Sequence, residues 1–240
     1  MSNPYIMPHP TIQLKFDQQL DLGLAWDFYS YPEFGGCNFW EERALVHHPK
    51  LREINSLKNP EGFLDKYISE FYASHFEEMK KLSKKTANYL NQTQDNFFKV
   101  VDDIFNHYPW PRKKFIGCFS IFNFCPRFLD WGGFQIFIYD KRNMQLFVIF
   151  HEMLHFIFYD FAQKTFPDKF KNLDTDKGKF WDLAEIFNAV VQNTNNFIKL
   201  HGKIENIGYP NHKDRILKGK NLWEKNQDLS NWITKMMKVV

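Results

Sequence analysis

Apolar and polar positions along the chain predict a series of helices interrupted by short strands. Residues 61–107 carry apolar side chains at helical spacing with charged residues between them, and we interpret them as two helices broken near Asn91. Residues 114–122 and 134–140 are short β-favouring runs, separated by a loop with a proline and paired glycines. The segment at 12–16 alternates like a further strand, and a turn with a short helix is expected after it.

Helices are predicted for most of the remaining chain. One runs from Met144 to about residue 164, with Asp140 or Asn143 as its N-cap. Another spans 180 to about 201, and one or two amphipathic helices close the chain. Because helices and strands are segregated along the sequence rather than alternating, the order predicts an α+β fold.

Length and composition are those of an ordinary soluble globular protein. The 240 residues are 44% hydrophobic and 25% charged, which is enough apolar material for the core of one domain. We therefore predict a single domain over residues 1–240. Within it, an N-terminal lobe (1–165) holds the sheet and a C-terminal lobe (166–240) is mainly helical.

Charge and sequence signals exclude several classes of partner. The net charge of +3 comes from lysines scattered among acids, so we expect no nucleic-acid partner. We find neither a secretory signal nor an apolar run of membrane-spanning length, and we predict a cytoplasmic protein without membrane association. The cysteines, Cys37, Cys118 and Cys125, lack CxxC spacing and argue against a disulfide framework. The oligomeric state is left open.

The chemistry-bearing motif is HExxH, formed by His151, Glu152 and His155 within the apolar segment "FVIFHEMLHFIFYDF". On a helix, positions i and i+4 share a face, so both imidazoles can bind one ion, and the glutamate lies beside them. This spacing suits zinc, with Glu152 acting on a metal-bound water. Asp160 points away from the histidines. The alternative is a pair of core histidines satisfied by hydrogen bonds.

The segment "VIFHEMLHFI" resembles the extended signature of zincin metallopeptidases, and the order strand, loop, strand, motif helix is similar to the upper half of that fold. The metzincin continuation is absent, so the resemblance is to gluzincins, in which a glutamate on a later helix completes the site. It covers residues 114–212. It implies a zincin-like fold with a small mixed or antiparallel sheet, one zinc ion, and a peptide or protein substrate that adds to 134–140 as the edge strand.

The resemblance assigns the third ligand to Glu185, in "FWDLAEIFNAVVQN", with His201 as the next candidate. Gluzincins commonly place an aspartate four residues after this glutamate to orient a histidine, but here that position is Ala189. Asp182 or Asn188, each within one turn of Glu185, are the candidates for that role.

A group that stabilises the oxyanion is also expected downstream of the glutamate helix. The segment "GYPNH" offers Tyr209 and His212 where zincins typically keep such a residue. The other interpretation is an ordinary aromatic turn with a surface histidine.

Together these observations predict a catalytic domain that hydrolyses peptide bonds. His151, His155 and Glu185 would hold one Zn²⁺, and Glu152 would be the general base. The alternative is a non-proteolytic binding protein with a structural or vestigial zinc site, which a fourth ligand such as His201 or His212 would close. A third hypothesis is a toxin or stress-type factor that works through an interaction partner.

Overall fold

The computed structural model describes residues 8–205 and 208–240, which are mainly helical with a minority of strands. The chain is thus α+β, as the sequence pattern predicts. The helices are α1 (Gln18–Ser30), α2 (Leu45–His47), α3 (Pro60–Phe105), α4 (Arg142–Thr165), α5 (Pro167–Phe170), α6 (Gly178–Val191), α7 (Asn195–His201), α8 (Lys213–Lys225) and α9 (Leu229–Met236), with a π-helical turn at Trp40–Ala44 and 3-10 turns at Pro49–Ser56 and Pro210–His212. Within the two described ranges, no helix combines the length and apolar character needed to cross a bilayer.

The strands form a four-stranded mixed sheet and a separate hairpin. They are β1 (Thr11–Phe16), β2 (Glu33–Phe34), β3 (Cys37–Asn38), β4 (Lys114–Ser120), β5 (Arg127–Phe128) and β6 (Gly133–Phe137). The sheet order is β1-β4-β6-β5, with β1, β4 and β6 parallel and β5 antiparallel to β6, while β2 and β3 pair as the hairpin. The parallel pairing of β1 and β4 uses the long crossover through α1 to α3. A small mixed or antiparallel sheet was predicted, and the structure has a mixed one.

Helix α3 corrects the prediction of two helices broken near Asn91. It runs unbroken for 46 residues, from Pro60 to Phe105. Asn59 caps its start by accepting from the Gly62 amide at 3.0 Å, and Asn106 ends it in the left-handed conformation, at φ 50°. Asparagine inside a helix costs less than about 1 kcal/mol, which tertiary packing readily offsets. Asn91 therefore does not break the helix.

The predicted helix over 180–201 is instead two helices, α6 and α7. The break falls where Asn193 donates its side-chain amide to the Ala189 carbonyl and Thr194 donates its hydroxyl to the Val191 carbonyl. Short polar side chains that bond nearby backbone compete with the helical ladder, which ends α6 here.

Helix α4 begins at Arg142, two residues before the predicted start. Its N-cap is Lys141, which provides no side-chain cap. The prediction of Asp140 or Asn143 as the cap was therefore wrong. The first turn is closed by the backbone, since the Gln145 amide donates to the Lys141 carbonyl at 3.0 Å.

Aromatic packing fixes α4 between α3, α6 and the sheet. Phe150 and Phe158 stack on Phe97 and Phe187, with centroids 4.3 and 4.6 Å apart, and Phe156 packs at a tilt against Phe115, at 4.7 Å. Each buried aromatic pair adds about 0.5–1.5 kcal/mol beyond its area burial. These contacts fix the rotation of α4 about its axis, so that His151 and His155 face α6.

A buried carboxylate, Asp21 on α1, ties the sheet to the helices beside it. It accepts hydrogen bonds from the Tyr72 hydroxyl at 2.8 Å, the Ile121 amide at 3.0 Å and the Gln135 side-chain amide at 2.8 Å. Burial raises the pKa of Asp21 to about 6, although these donors and the Ser120 hydroxyl oppose the rise. A carboxyl with a raised pKa in the folded state stabilises the protein fully only at low pH.

Replacing Asp21 by asparagine should therefore change how stability depends on pH. The unfolded pKa is about 3.9, so the contribution of Asp21 is present below pH ~4 and lost as pH rises through about 6. The wild type should lose on the order of 3 kcal/mol relative to Asp21→Asn between pH 4 and 7, as measured by urea unfolding. Asp27→Asn, an exposed site on the same helix, is the control. A pH-independent difference between wild type and Asp21→Asn would contradict the assignment.

Candidate metal centre

Helices α4 and α6 bring three potential metal ligands to one point. His151 Nε2 lies 3.2 Å from Glu185 Oε2, and His155 Nε2 lies 3.1 Å from Glu185 Oε1. The two Nε2 atoms are 3.0 Å apart. Among the described residues these three form the one cluster of histidine, cysteine and acidic side chains with metal-site spacing. The structure thus brings together all three residues that the sequence assigned to the metal.

The spacing of these atoms fits a small tetrahedral ion. Ligands at about 2.0–2.1 Å from zinc are separated from one another by roughly 3.3 Å, the edge of the tetrahedron. The two Nε2 atoms lie 3.0 Å apart and His151 Nε2 lies 3.2 Å from Glu185 Oε2, both close to that value. Two imidazoles and one carboxylate are also a common donor set for zinc.

A buried glutamine on α6 sets the tautomer of His151. Gln192 donates its side-chain amide to the Phe147 carbonyl at 3.0 Å, so its oxygen faces His151 Nδ1 at 2.9 Å. That oxygen accepts the Nδ1 proton, which in the neutral ring leaves the Nε2 lone pair toward Glu185 and His155. Partners of this kind orient metal-binding histidines.

Gln192 thus takes the role for which Asp182 and Asn188 were proposed. Asn188 does contact His151, but its amide donates to the backbone carbonyl at 2.9 Å rather than to the ring. Asp182 is occupied by His212 and by Arg215, each at 2.8 Å. The prediction was wrong for both, because the residue one turn beyond Asn188 has the length needed to reach the imidazole.

The face of α6 that carries Glu185 is buried. Glu185 is 4% exposed, and Asn188 and Gln192 are fully enclosed. In the sequence, a polar helix face that is buried cannot be distinguished from one that is exposed to solvent. Here it meets α4 instead, which is why these groups find partners there.

Electrostatics at the cluster favour neutral His155 next to ionised Glu185, whereas contacts with Glu185, Glu152 and Gln192 outweigh burial and raise the pKa of His151. Burial, helped by Arg127, lowers the pKa of His155 to about 3. Burial alone would raise the pKa of Glu185, but its contacts with His155 and His151 outweigh this and hold the pKa well below its usual range. Neutral imidazole and carboxylate are the protonation states that bind metal ions.

Glu152 lies beside the cluster without contributing to it. Its side chain is 6% exposed, and Oε2 has no hydrogen-bond partner in the described part of the chain. Burial raises the pKa of Glu152 to about 7, against the opposing influence of His151 and Arg127. A general base works best with a pKa near the operating pH.

The cluster opens onto a cleft of about 490 Å³. His151, Glu152 and Glu185 lie on its floor, and its walls include the apolar side chains of Phe124 and Met144. A cavity of this size is within the range of small-molecule and peptide subsites. Three polar groups of the site thus line the cleft, with Glu152 and Glu185 only 6% and 4% exposed, and His155 is fully buried.

The structure separates the two candidates for an oxyanion donor. Tyr209 lines the cleft, and its ring is held against Trp181, with centroids 4.9 Å apart. His212 is buried, does not line the cleft, and points Nε2 at Asp182. This position fits neither the prediction that His212 is catalytic nor the alternative that it is a surface histidine.

His201, the second candidate for the third ligand, lies outside the cluster. It is 2% exposed and its Nδ1 bonds the Gly202 carbonyl at 2.6 Å. Its ring packs edge-on against Phe147 of α4, with centroids 5.4 Å apart. Neither His201 nor His212 is placed to close the site.

The expected docking strand is not a free edge. The outer side of β6 pairs with β5, where Arg127 faces Phe134, and the Gln135 amide donates to the Pro126 carbonyl at 2.9 Å. The backbone of Phe137 contacts the Cys125 thiol. An extended peptide cannot add to β6 along this stretch, so the prediction for 134–140 was wrong. The outer strand, β5, is two residues long and lacks the alternation that identifies a strand.

Besides Gln192, two further residues at the site were not predicted from the sequence. Arg127 Nη1 lies 3.4 Å from Glu185 Oε1, and Arg127 Nη2 donates to the Tyr159 hydroxyl at 2.8 Å. Tyr159 stacks on His155 with centroids 5.6 Å apart. Its position, one turn after His155 on the same helix face, is a signal that could have found it. Arg127 lies in a loop-like segment and offers none.

Comparison of the chain with protein-family models, with curated proteins and with solved structures found no match. The function is therefore inferred from the residues of this chain and their geometry.

Proposed function

We propose that this protein is a zinc-dependent peptidase with a gluzincin-like site on a zincin-like fold. One observation carries the proposal: the HExxH histidines and Glu185 converge at tetrahedral spacing on the floor of an accessible cleft, with Glu152 beside them. Zinc held there would supply Lewis-acid chemistry, polarising a carbonyl and lowering the pKa of water to about 7.

Residues of the chain carry out the other steps of the proposed reaction. Glu152 takes a proton from the attacking water and returns it to the leaving amine. The Tyr209 hydroxyl, on the cleft wall, donates to the oxygen that gains charge in the transition state. The apolar walls of the cleft exclude water and contact the substrate's side chains.

The accessible cleft also weighs against a purely structural zinc site. Structural sites bind zinc through four protein ligands, whereas catalytic sites keep one position open. In the described part of the chain the cluster has three members, and His201 and His212 bond elsewhere. This favours the peptidase over the binding protein with a vestigial site.

Metal content and peptide cleavage test the proposal directly. Protein purified without chelator should contain about one zinc per chain and cleave a quenched fluorescent peptide library. A chelator should stop the cleavage, and added zinc should restore it. Zinc near zero, or cleavage indifferent to chelator, would contradict the proposal; zinc without any cleavage would favour the binding protein.

The position of Tyr209 provides a second test of the proposed mechanism. Gly35, in the turn between β2 and β3, has φ +59°, and a Cβ at this position would overlap the Tyr209 ring. Gly35→Ala should therefore shift the tyrosine and reduce kcat about 10-fold or more while leaving zinc bound, given that one lost oxyanion donor costs roughly 10²–10³.

Gly23→Ala is the matched control, because a Cβ at Gly23 meets nothing within 4 Å. It should leave kcat unchanged and raise the free energy of unfolding by about 0.5–1 kcal/mol, the helix preference of alanine over glycine. Equal kcat for Gly35→Ala and wild type would remove Tyr209 from the mechanism.

A further inference from the structure

Arg127 is a nearly buried cation that contacts a candidate metal ligand. Its side chain is 9% exposed and that of Glu185 is 5% exposed. Nη1 lies 3.4 Å from Glu185 Oε1. A guanidinium beside a site for a divalent cation repels that cation and weakens its binding. We therefore expect Arg127 to have a role that compensates for this cost.

The position of Arg127 does not depend on Glu185. Its other nitrogen, Nη2, donates to the Tyr159 hydroxyl at 2.8 Å and to the Thr175 carbonyl at 2.7 Å. The Tyr159 hydroxyl also donates to that carbonyl, at 2.8 Å, and the guanidinium lies over the Tyr159 ring at 5.2 Å from its centroid. A planar guanidinium held at one nitrogen presents the other in a fixed direction.

Arg127 and Tyr159 together contact two of the three candidate ligands. Arg127 reaches Glu185, and the Tyr159 ring stacks on His155 at an interplanar angle of 14°. His155 Nδ1 has no hydrogen-bond partner among the described residues, so this ring contact adds to the restraint that Glu185 and His151 impose at Nε2. Both ligands are thus oriented by one pair of side chains.

Both oxygens of Glu185 face histidines, at 3.2 Å for Oε2 and 3.1 Å for Oε1. A carboxylate in that position can bind a metal through either oxygen or through both. We propose that Arg127 is a positioning residue, which engages Oε1 so that Glu185 offers Oε2 alone to the metal. The inference rests on the metal centre of the proposed function, and it adds a residue that determines the coordination number there.

Two simpler roles for Arg127 must be separated from positioning. It could act only through its charge, or only as a structural tie between β5, α4 and the loop at Thr175. Lysine keeps the charge but loses the planar fork, which distinguishes charge from geometry. Metal affinity and Co²⁺ absorption separate the other two roles. If Arg127 only ties elements together, its replacement lowers protein stability without changing how the ion is coordinated, whereas the loss of a positioning residue changes the coordination.

The experiment uses the full chain with Arg127→Lys. The apo protein is titrated with Zn²⁺ against a chromophoric chelator, and the visible absorption of the Co²⁺ form is recorded. The zinc Kd should rise about 10–100-fold, the usual effect of losing a partner that orients a ligand. The Co²⁺ bands should weaken, because a carboxylate that binds through both oxygens raises the coordination number.

Arg215→Lys is the matched control. Arg215 also donates to an acid of α6, Asp182, at 2.8 Å, and contacts none of the three ligands. It should leave both the zinc Kd and the Co²⁺ spectrum unchanged. Should Arg127→Lys fail to fold, Tyr159→Phe decides instead: it removes one acceptor of Arg127, keeps the ring on His155, and should weaken zinc binding in the same direction.

An unchanged zinc Kd and an unchanged Co²⁺ spectrum in the variant that folds would overturn the inference. The outcome is independent of peptidase activity. If the wild type binds zinc but cleaves no peptide, the proposed function fails while the role of Arg127 can still be measured. If the wild type cleaves peptides and Arg127→Lys binds zinc as tightly as the parent does, the role of Arg127 fails alone.

Discussion

Replacing Glu152 by glutamine is expected to lower kcat for peptide cleavage by a factor of roughly 10²–10⁴, the usual contribution of a general acid–base residue. Glutamine has the shape of glutamate but cannot accept a proton near neutral pH. Because Glu152 is not one of the three clustered ligands, the variant should retain its zinc. The measurement pairs kcat with zinc content on the same preparation.

Asp160→Asn is the control for this variant. Asp160 is an acid of the same helix, α4, but it bonds the Tyr108 hydroxyl at 2.8 Å and Lys164 at 2.9 Å, away from the cleft. Its neutralisation should leave kcat within about twofold of wild type, since surface polar changes have small effects. A Glu152→Gln enzyme as fast as the parent would rule out Glu152 as the base and the mechanism with it.

His155→Ala should abolish zinc binding and, with it, the effect of zinc on stability. Zinc at 100 times its Kd stabilises the folded state by about 2.7 kcal/mol, which for a domain of this size raises Tm by roughly 5–10 °C. The wild type should therefore lose that much Tm on treatment with chelator. His155→Ala, lacking a ligand, should melt at the same temperature with and without chelator.

His201→Ala tests whether the effect is specific to the cluster. His201 is as buried as a ligand histidine but bonds the Gly202 carbonyl rather than the site. Its replacement should lower Tm through lost packing and still leave a chelator-dependent shift equal to that of wild type. Loss of zinc in His201→Ala would identify it as a ligand and favour a structural site.

The parts of the site that the sequence predicted are those encoded by local spacing. His151, Glu152 and His155 share one helix, and their relative positions follow from 3.6 residues per turn. Glu185 was assigned through the resemblance to gluzincins, and Tyr209 through its place after the glutamate helix. The structure brings His151, His155 and Glu185 to one point and puts Glu152 and Tyr209 on the same cleft.

Two of the missed residues, Arg127 and Gln192, depend on contacts distant in sequence, whereas Tyr159 lies one turn after His155. Arg127 meets Glu185 across 58 positions of the chain, and Gln192 meets His151 across 41. No periodicity marks such pairs, and a polar residue on a buried face looks like one on an exposed face until the packing partner is known. Which of Asp182, Asn188 and Gln192 bonds the His151 ring depends on whether the side chain is long enough to cross the α4–α6 contact.

The fold was predicted at the level of element type and less well at the boundaries. The α+β order follows from apolar periodicity, which is strongest in long segments, whereas the mixed or antiparallel sheet was implied by the resemblance to zincins. The continuity of α3 through Asn91 and the break at Thr194 depend on small differences in free energy, of about 1 kcal/mol, which packing decides. The β6 edge was misassigned because the two-residue β5 has no pattern of its own.

The aromatic stacks around α4 have a consequence for metal selectivity. Because Phe150, Phe156 and Phe158 meet three different elements, the helix can neither roll nor slide without opening gaps in a close-packed interior. The backbone positions of His151 and His155 are therefore fixed by the packing of α4. If the cluster binds zinc as proposed, a larger cation such as Ca²⁺, which takes oxygen ligands at about 2.3–2.6 Å, would have to be accommodated by side-chain movement alone. We expect the packed core to disfavour such ions.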